Sequence, residues 1–344
     1  MGKLKVALTQ MDIIWEDRPA NYEIAKQMCQ KAFQAGADLI LFPEMSFTGF
    51  SMNMEHVAEK YPYESAAKMK LLSEKYPHMA IGFGYAGYVK GNISEEIRNC
   101  LEVVSDGESL MRYDKIHPFT FGEEGKHITA GSRLAACEIH GVPIGGFICY
   151  DLRFPEPFQI SSKENALIFV IANWPQERAA HWKLLLQARA VENQCYIAGI
   201  NRIGEGGSLS YEPGSMAFDP LGNPVKGCFY RVAREDESSG GGDCDRGKAE
   251  GYSDIGKAEG YSDLGKAEGY SDLGKAEGYS DIEKGKGNCN IDKKDEYCEI
   301  GKDEGFLLVE IDTEMVWNVR KNFPLKADRR EALYKQWYME NQLV

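Results

Sequence analysis

Gly145-Gly146-Phe147-Ile148-Cys149-Tyr150-Asp151-Leu152-Arg153-Phe154-Pro155-Glu156 is the stretch that decides the fold. An apolar, glycine-rich run ends at Cys149, and a polar segment carrying turn and helix-start signals follows. That order predicts a buried strand delivering a thiol at its carboxyl end, just before a helix. In α/β proteins ligands bind at this end of the strands, and a nucleophile there faces a pocket. None of the other eight cysteines has such a setting.

Outward from Cys149 the same alternation repeats. Short apolar runs rich in branched residues predict strands over 5–9, 38–42, 79–88, 100–105, 142–149, 166–172, 195–201 and 306–311. Helical periodicity covers 21–34, 65–75, 179–192 and 313–320. The segment 100–115 reads as a hairpin turning at Asp106-Gly107. Hairpins mixed with βα units suggest a layered α/β sandwich rather than a simple doubly wound sheet.

One stretch does not belong with the rest. Residues 247–282 hold four consecutive copies of a nine-residue unit, GKAEGYSD followed by Ile or Leu. With its Gly-, Asp-, Glu-, Lys- and Ser-rich flanks it forms an insertion over 235–304 that carries −10 of the chain's net charge of −13. The remaining 274 of the 344 residues suit a single α/β domain, divided into a first part over 1–234 and a C-terminal part over 305–344. The insertion reads as an expanded, disordered surface loop. Its regularly spaced Tyr and Leu/Ile leave open a partner-binding or self-associating segment. It lacks the GGxG core that calcium-binding nonapeptide repeats require.

Composition narrows the function. The acidic balance gives no support for binding nucleic acid or an anionic membrane. No run of about 18 apolar residues is present, so no membrane span is expected. The amino terminus reads as a strand and not as a signal peptide. Nine irregularly spaced cysteines without a CxxC point to reduced thiols and a cytoplasmic location. HExxH and paired CxxC are absent, so no metal is expected, and without GxSxG a serine hydrolase is not. Gly82-Phe83-Gly84-Tyr85-Ala86-Gly87 satisfies GxGxxG, but no helix signal follows it, so it is not read as a dinucleotide site.

Three further segments stand out. Leu39-Ile40-Leu41-Phe42-Pro43-Glu44 is a buried strand ending in a carboxylate. Tyr113-Asp114-Lys115-Ile116-His117-Pro118-Phe119 puts a lysine at the end of the hairpin, and His117 there is a base or a structural residue. Phe121-Gly122-Glu123-Glu124-Gly125-Lys126-His127 is an acidic turn. Each alone is unremarkable. In this order, with Cys149, they resemble the carbon–nitrogen hydrolase (nitrilase) superfamily, over residues 4–234 and again over 305–335.

The resemblance implies a nitrilase-like α-β-β-α sandwich, a homodimer and no cofactor. It places Glu44, Lys115 and Cys149 at the catalytic positions, with a second glutamate at Glu124, or at its neighbour Glu123. The chemistry asks for these types. A thiol attacks as thiolate, and an ordinary cysteine is mostly protonated near neutrality. Glu44 would take the thiol proton and return it to departing ammonia. Lys115 and the backbone N–H of Tyr150 would stabilise the oxyanion.

Within the superfamily, Asn173-Trp174-Pro175, the segment from His181 to Gln194, and Tyr196-Ile197-Ala198-Gly199-Ile200-Asn201-Arg202 resemble bacterial ω-amidases. That branch implies hydrolysis of a small-molecule amide, the terminal amide of dicarboxylic acid monoamides such as 2-oxoglutaramate and succinamate. Tyr150, Asn173, Trp174 and Arg153 are then the substrate-binding candidates. Arg153 is expected first of all to pair with Asp151 or Glu156 and brace the nucleophile turn, and Arg202 has a weaker claim to either role. Trp182, on a helix, is expected in the core. The competing readings are an N-carbamoyl-amine hydrolase or aliphatic amidase and, from another class, a non-catalytic scaffold presenting the repeat.

Overall fold

Period-two alternation in the first strand organises the whole molecule. The computed structural model describes residues 2–91, 94–232 and 303–340, and the four repeats, with all of the expected insertion but its last two residues, lie outside these residues. In Lys3–Gln10, Leu4, Val6 and Leu8 enter one core while Ala7 enters another. Successive side chains on a strand point to opposite faces, so one strand serves two cores.

The first sheet runs in the order Gly227–Arg231, Gly305–Asp312, Lys3–Gln10, Leu39–Leu41, Ala80–Lys90, Glu95–Ser105, Glu108–Asp114, with Ala58–Glu59 beside Ala80–Lys90. The second runs Met216–Phe218, Tyr196–Asn201, Leu167–Ala172, Val142–Ile148, Ala136–Ile139. Its three central strands are parallel, as expected for apolar runs buried on both faces. Leu4, Leu39, Leu101 and Met111 from the first sheet share a core with Ile144 and Ile171 from the second. Gly146 marks the close approach, because a Cβ there would lie 2.6 Å from Leu101 Cδ2 and 3.1 Å from Met111 Cε.

Helices cover both outer faces. Met28 and Ala32 of Arg18–Gln34, with Met69 and Leu72 of Glu64–Ser73, pack with Ala7, Ile40 and Ile81. Phe158 of Pro155–Ser161 and Trp182, Leu186 and Ala190 of Ala179–Asn193 pack on the second sheet. The layers are therefore α-β-β-α, as the family resemblance implies. Among the described residues no helix is long and apolar enough to cross a membrane.

Several boundaries differ from the periodicity reading for local reasons. Arg18–Gln34 begins three residues early because the Asp17 side chain accepts from the Ala20 N–H at 3.1 Å and a proline occupies the first turn. The hairpin turn is confirmed by positive φ at both Asp106 (49°) and Gly107 (81°). The GxGxxG glycines lie inside the strand Ala80–Lys90 and not in a turn between a strand and a helix. The strands Ala136–Ile139, Met216–Phe218 and Gly227–Arg231 and the helix Glu331–Glu340 escaped the pattern, three being short strands at sheet edges.

The points where the chain leaves and rejoins the domain are strand partners. Tyr230 pairs with Phe306 and Arg231 with Gly305, and the Val232 N–H donates to the Glu304 carbonyl at 2.9 Å. A connection closing such a hairpin costs only slightly more as it lengthens.

Candidate active site

Cys149 begins a short 3₁₀ turn, Cys149–Arg153, directly after the strand Val142–Ile148. Its φ of 45° is left-handed, a strained value for a non-glycine residue that lifts the side chain out of the strand line. Buried Asp151 holds this turn in place. Its carboxylate accepts from the Ile148 N–H at 3.1 Å, the Tyr113 hydroxyl at 2.7 Å and the His117 N–H at 3.0 Å. The His117 ring also lies 2.8 Å from Asp151 through Nδ1 and stacks on Phe154 with centroids 3.8 Å apart. His117 is thus structural: with Asp151 it ties the nucleophile turn to the segment carrying Lys115.

Glu44 arrives from the other sheet, past the end of Leu39–Leu41. Its turn lies against Gly84, where a Cβ would come 2.7 Å from Met45 N and 3.1 Å from Glu44 Cα. Ser46 clamps the contact: its N–H donates to the Gly84 carbonyl and its Oγ accepts from the Gly84 N–H, both at 2.9 Å. From the second sheet, the Asn173 N–H donates to Glu44 Oε2 at 3.0 Å and the Asn173 side chain to the Glu44 carbonyl at 2.5 Å. The carboxylate is fully buried and oriented by both sheets.

Lys115 Nζ sits between two carboxylates, 2.8 Å from Glu44 Oε1 and 2.9 Å from Glu124 Oε2. Asn99 makes the same bridge with a neutral group, its Nδ2 donating to Glu44 Oε1 at 2.8 Å and to Glu124 Oε1 at 2.9 Å. Glu124 also accepts from the Phe119 N–H at 2.5 Å. Glu123, the alternative, is exposed and pairs with Lys126, so Glu124 is the carboxylate that reaches Lys115. Asn99 has no motif around it. The only clue in the sequence was a polar amide beside Cys100, within a strand where Asn is disfavoured.

The charges are interdependent. Burial alone would pull the Lys115 ammonium down, but the Glu124 and Glu44 carboxylates outweigh it and hold the ammonium above its ordinary range. Burial pushes the Cys149 thiol well above its ordinary value. Glu44, by charge and hydrogen bond, adds to that, and Lys115 opposes it. Burial and the Glu44 charge together thus favour the protonated sulfur at rest.

Cys149, Glu44 and Lys115 line one cavity with Tyr150, Asn173, Trp174 and Arg153. All four substrate-binding candidates are thus at its wall. The expected brace by Arg153 is not found: among the described residues it makes no ion pair with Asp151 or Glu156. Its guanidinium lies 4.8 Å from the Trp174 ring centroid instead. Asp151 is already satisfied by Tyr113, His117 and backbone, and the arginine that holds the turn is Arg189, donating to the Leu152 carbonyl at 2.9 Å. Arg202 is buried, bonded to the carbonyls of Ile13 at 2.8 Å and Glu205 at 2.7 Å. Trp182 is core, its indole N–H donating to the Gly214 carbonyl at 2.7 Å. Arg178, Phe119 and Tyr211, which the motifs did not single out, complete much of the wall. Among the described residues no group of three or more His, Cys, Asp or Glu could hold a metal ion.

Two sheets meeting at a buried Glu–Lys–Glu cluster beside a strand-end cysteine define a class, and the profile of the carbon-nitrogen hydrolase family matches residues 5–232. The chain belongs to the carbon–nitrogen hydrolase family, and it is a hydrolase of amide carbon–nitrogen bonds. It is 34% identical over 225 residues to the omega-amidase YafV of Yersinia enterocolitica, covering 64% of this chain and 84% of that one. It is 30% identical to the 2-oxoglutaramate amidase of Bacillus subtilis, again over 64% and 84% of the two chains. A CN-hydrolase superfamily protein of Xanthomonas campestris, crystallised with an arsenic adduct in its active site, superposes with a TM-score of 0.57 at 30% identity, covering 65% of this chain and 85% of that one.

Proposed function

We propose that this enzyme hydrolyses the terminal amide of short dicarboxylic acid monoamides, 2-oxoglutaramate and succinamate among them, to the dicarboxylate and ammonia through a thioester on Cys149. The observation that carries this reading is the convergence of Glu44, Lys115, Glu124 and Cys149 at one cavity whose wall also bears Arg153, a cation suited to a carboxylate. The similarity to an omega-amidase and a 2-oxoglutaramate amidase supports the substrate class.

In the proposed reaction Glu44 takes the thiol proton as Cys149 Sγ bonds to the amide carbon. The resulting thiolate is formed only as it is consumed, which suits a thiol held well above its ordinary value at rest. Lys115 and the Tyr150 N–H would receive the oxyanion. A helix leaves its first N–H groups without internal acceptors, so the turn starting at Cys149 has donors to offer. Glu44 then passes its proton to the amide nitrogen, the C–N bond breaks and ammonia leaves. Water attacks the thioester, Glu44 takes its proton, and the C–S bond breaks with that proton returned to sulfur. Glu124 anchors Lys115 and would orient the amide or the water. No cofactor enters this scheme.

The proposed division into a hydrolase domain over 1–234 and 305–344 and an insertion over 235–304 is supported by the pairing of Arg231 with Gly305. The homodimer implied by the family fits exposed apolar side chains such as Leu184 and Trp337, and sedimentation at two concentrations tests it. Ammonia release across succinamate, 2-oxoglutaramate, N-carbamoyl amines and aliphatic amides tests the function. Turnover of N-carbamoyl substrates alone would refute it.

A further inference from the structure

We propose that Arg178, together with Arg153, forms the subsite for the substrate's remote carboxylate and sets the enzyme's preference for carboxylated amides. This deepens the function proposed above and rests on it. Both residues line the cavity that holds Cys149, and both are half-buried. Each lies against an aromatic face: Arg153 is 4.8 Å from the Trp174 ring centroid and Arg178 is 5.7 Å from that of Phe119. The two are joined through Trp174, whose indole N–H donates to the Arg178 carbonyl at 2.7 Å.

The charge balance of the cavity identifies the ligand. Lys115 is neutralised by Glu44 and Glu124, leaving that trio one negative charge in excess. Among the described residues neither Arg153 nor Arg178 has an ion-pair partner. Aromatic faces attract a guanidinium but leave its N–H donors free. Two planar donor sets with unmatched charge in a partly desolvated pocket fit a carboxylate, which can accept from both at once. A neutral aliphatic tail gains nothing there. Phe119, the ring beneath Arg178, also donates its N–H to Glu124 at 2.5 Å. Engagement of Arg178 thus bears on the segment that holds the second glutamate, linking recognition of the tail to the reacting end.

The test is the ratio of kcat/KM for succinamate to kcat/KM for butyramide, which differ in the terminal carboxylate. A ratio within one preparation is insensitive to the fraction of protein that is active. Arg178→Gln is expected to lower it by roughly 10- to 100-fold, the scale of a lost charge-assisted hydrogen bond. Arg178→Lys, which keeps the charge but not the fork, is expected to retain part of the preference. A ratio in Arg178→Gln within about twofold of the unmodified enzyme overturns the assignment. Competitive inhibition by succinate is the second measurement and carries the test where butyramide turnover is too slow: its inhibition constant must rise by a similar factor, and an unchanged constant overturns the proposal. An unmodified enzyme that released no ammonia from succinamate would instead refute the functional reading itself.

Discussion

Replacing Lys115 with Met removes the cation that bridges two fully buried carboxylates while keeping most of the side-chain volume. Breaking one buried ion pair costs about 3–5 kcal/mol, chiefly because a charge is left without its partner. Here two pairs break at once, yet the loss does not double. Both Glu44 and Glu124 keep their bond from Asn99 Nδ2 in the variant, so neither carboxylate is left without a donor. Glu44 also keeps the N–H of Asn173, and Glu124 that of Phe119. The expected destabilisation at pH 7.5 is therefore about 3–5 kcal/mol in total. Urea unfolding of both proteins at pH 7.5 measures it. A gap below about 1 kcal/mol, the level of an exposed pair, would refute the charge-coupled description. Ammonia release should also fall at least about 10²–10³-fold, as for loss of an oxyanion donor.

Cys149→Ala should abolish turnover and the substrate-derived mass adduct on the enzyme while leaving the unfolding midpoint nearly unchanged; retained amidase activity would remove the nucleophile assignment. Glu44→Gln should separate two properties. Burial and then the Glu44 charge hold the Cys149 thiol up, so removing that charge lowers it and raises the thiolate fraction at fixed pH. Alkylation by iodoacetamide at pH 8 should become several-fold faster even as ammonia release collapses, and slower alkylation would count against this account of the thiol. Asn99→Leu strips a donor from both carboxylates and should cost about 1–3 kcal/mol of stability together with a lower kcat. Deleting 235–304 should leave kcat/KM within about twofold, because the strands flanking it are already paired; misfolding of the shortened chain would show that the insertion supports the domain.

Much of the candidate site was legible because its chemistry sits at the ends of strong local patterns. Cys149 and Glu44 each close an apolar strand, and Lys115 closes a hairpin whose Asp106-Gly107 turn is unambiguous. Glu124 could be separated from Glu123 by family spacing, but local sequence treats the two alike. Only the backbone, with Glu123 at a φ of 68°, turns one carboxylate to Lys115 and the other to solvent. Arg153 was misjudged because nearness in sequence to Asp151 and Glu156 suggested a partner, whereas the 3₁₀ turn carries it to Trp174. The glycines of the rejected GxGxxG have a use that no local signal reveals: Gly84 admits the Glu44 turn, contributed by a segment 40 residues earlier.

By itself, the sequence determined the periodicities that make two layers of sheet and two of helix, the strand-end positions of Glu44, Lys115 and Cys149, and the foreign character of residues 235–304. These are local properties, readable within a window of a dozen residues. Tertiary structure alone decided how the charges balance. Asn99 between the carboxylates, Asn173 reaching Glu44 across the sheets, and two arginines set over rings at the cavity wall are contacts between residues far apart in the chain. A buried charge answers to whatever surrounds it in space, so the state of Cys149 follows from the meeting of two sheets and not from its own neighbours in sequence.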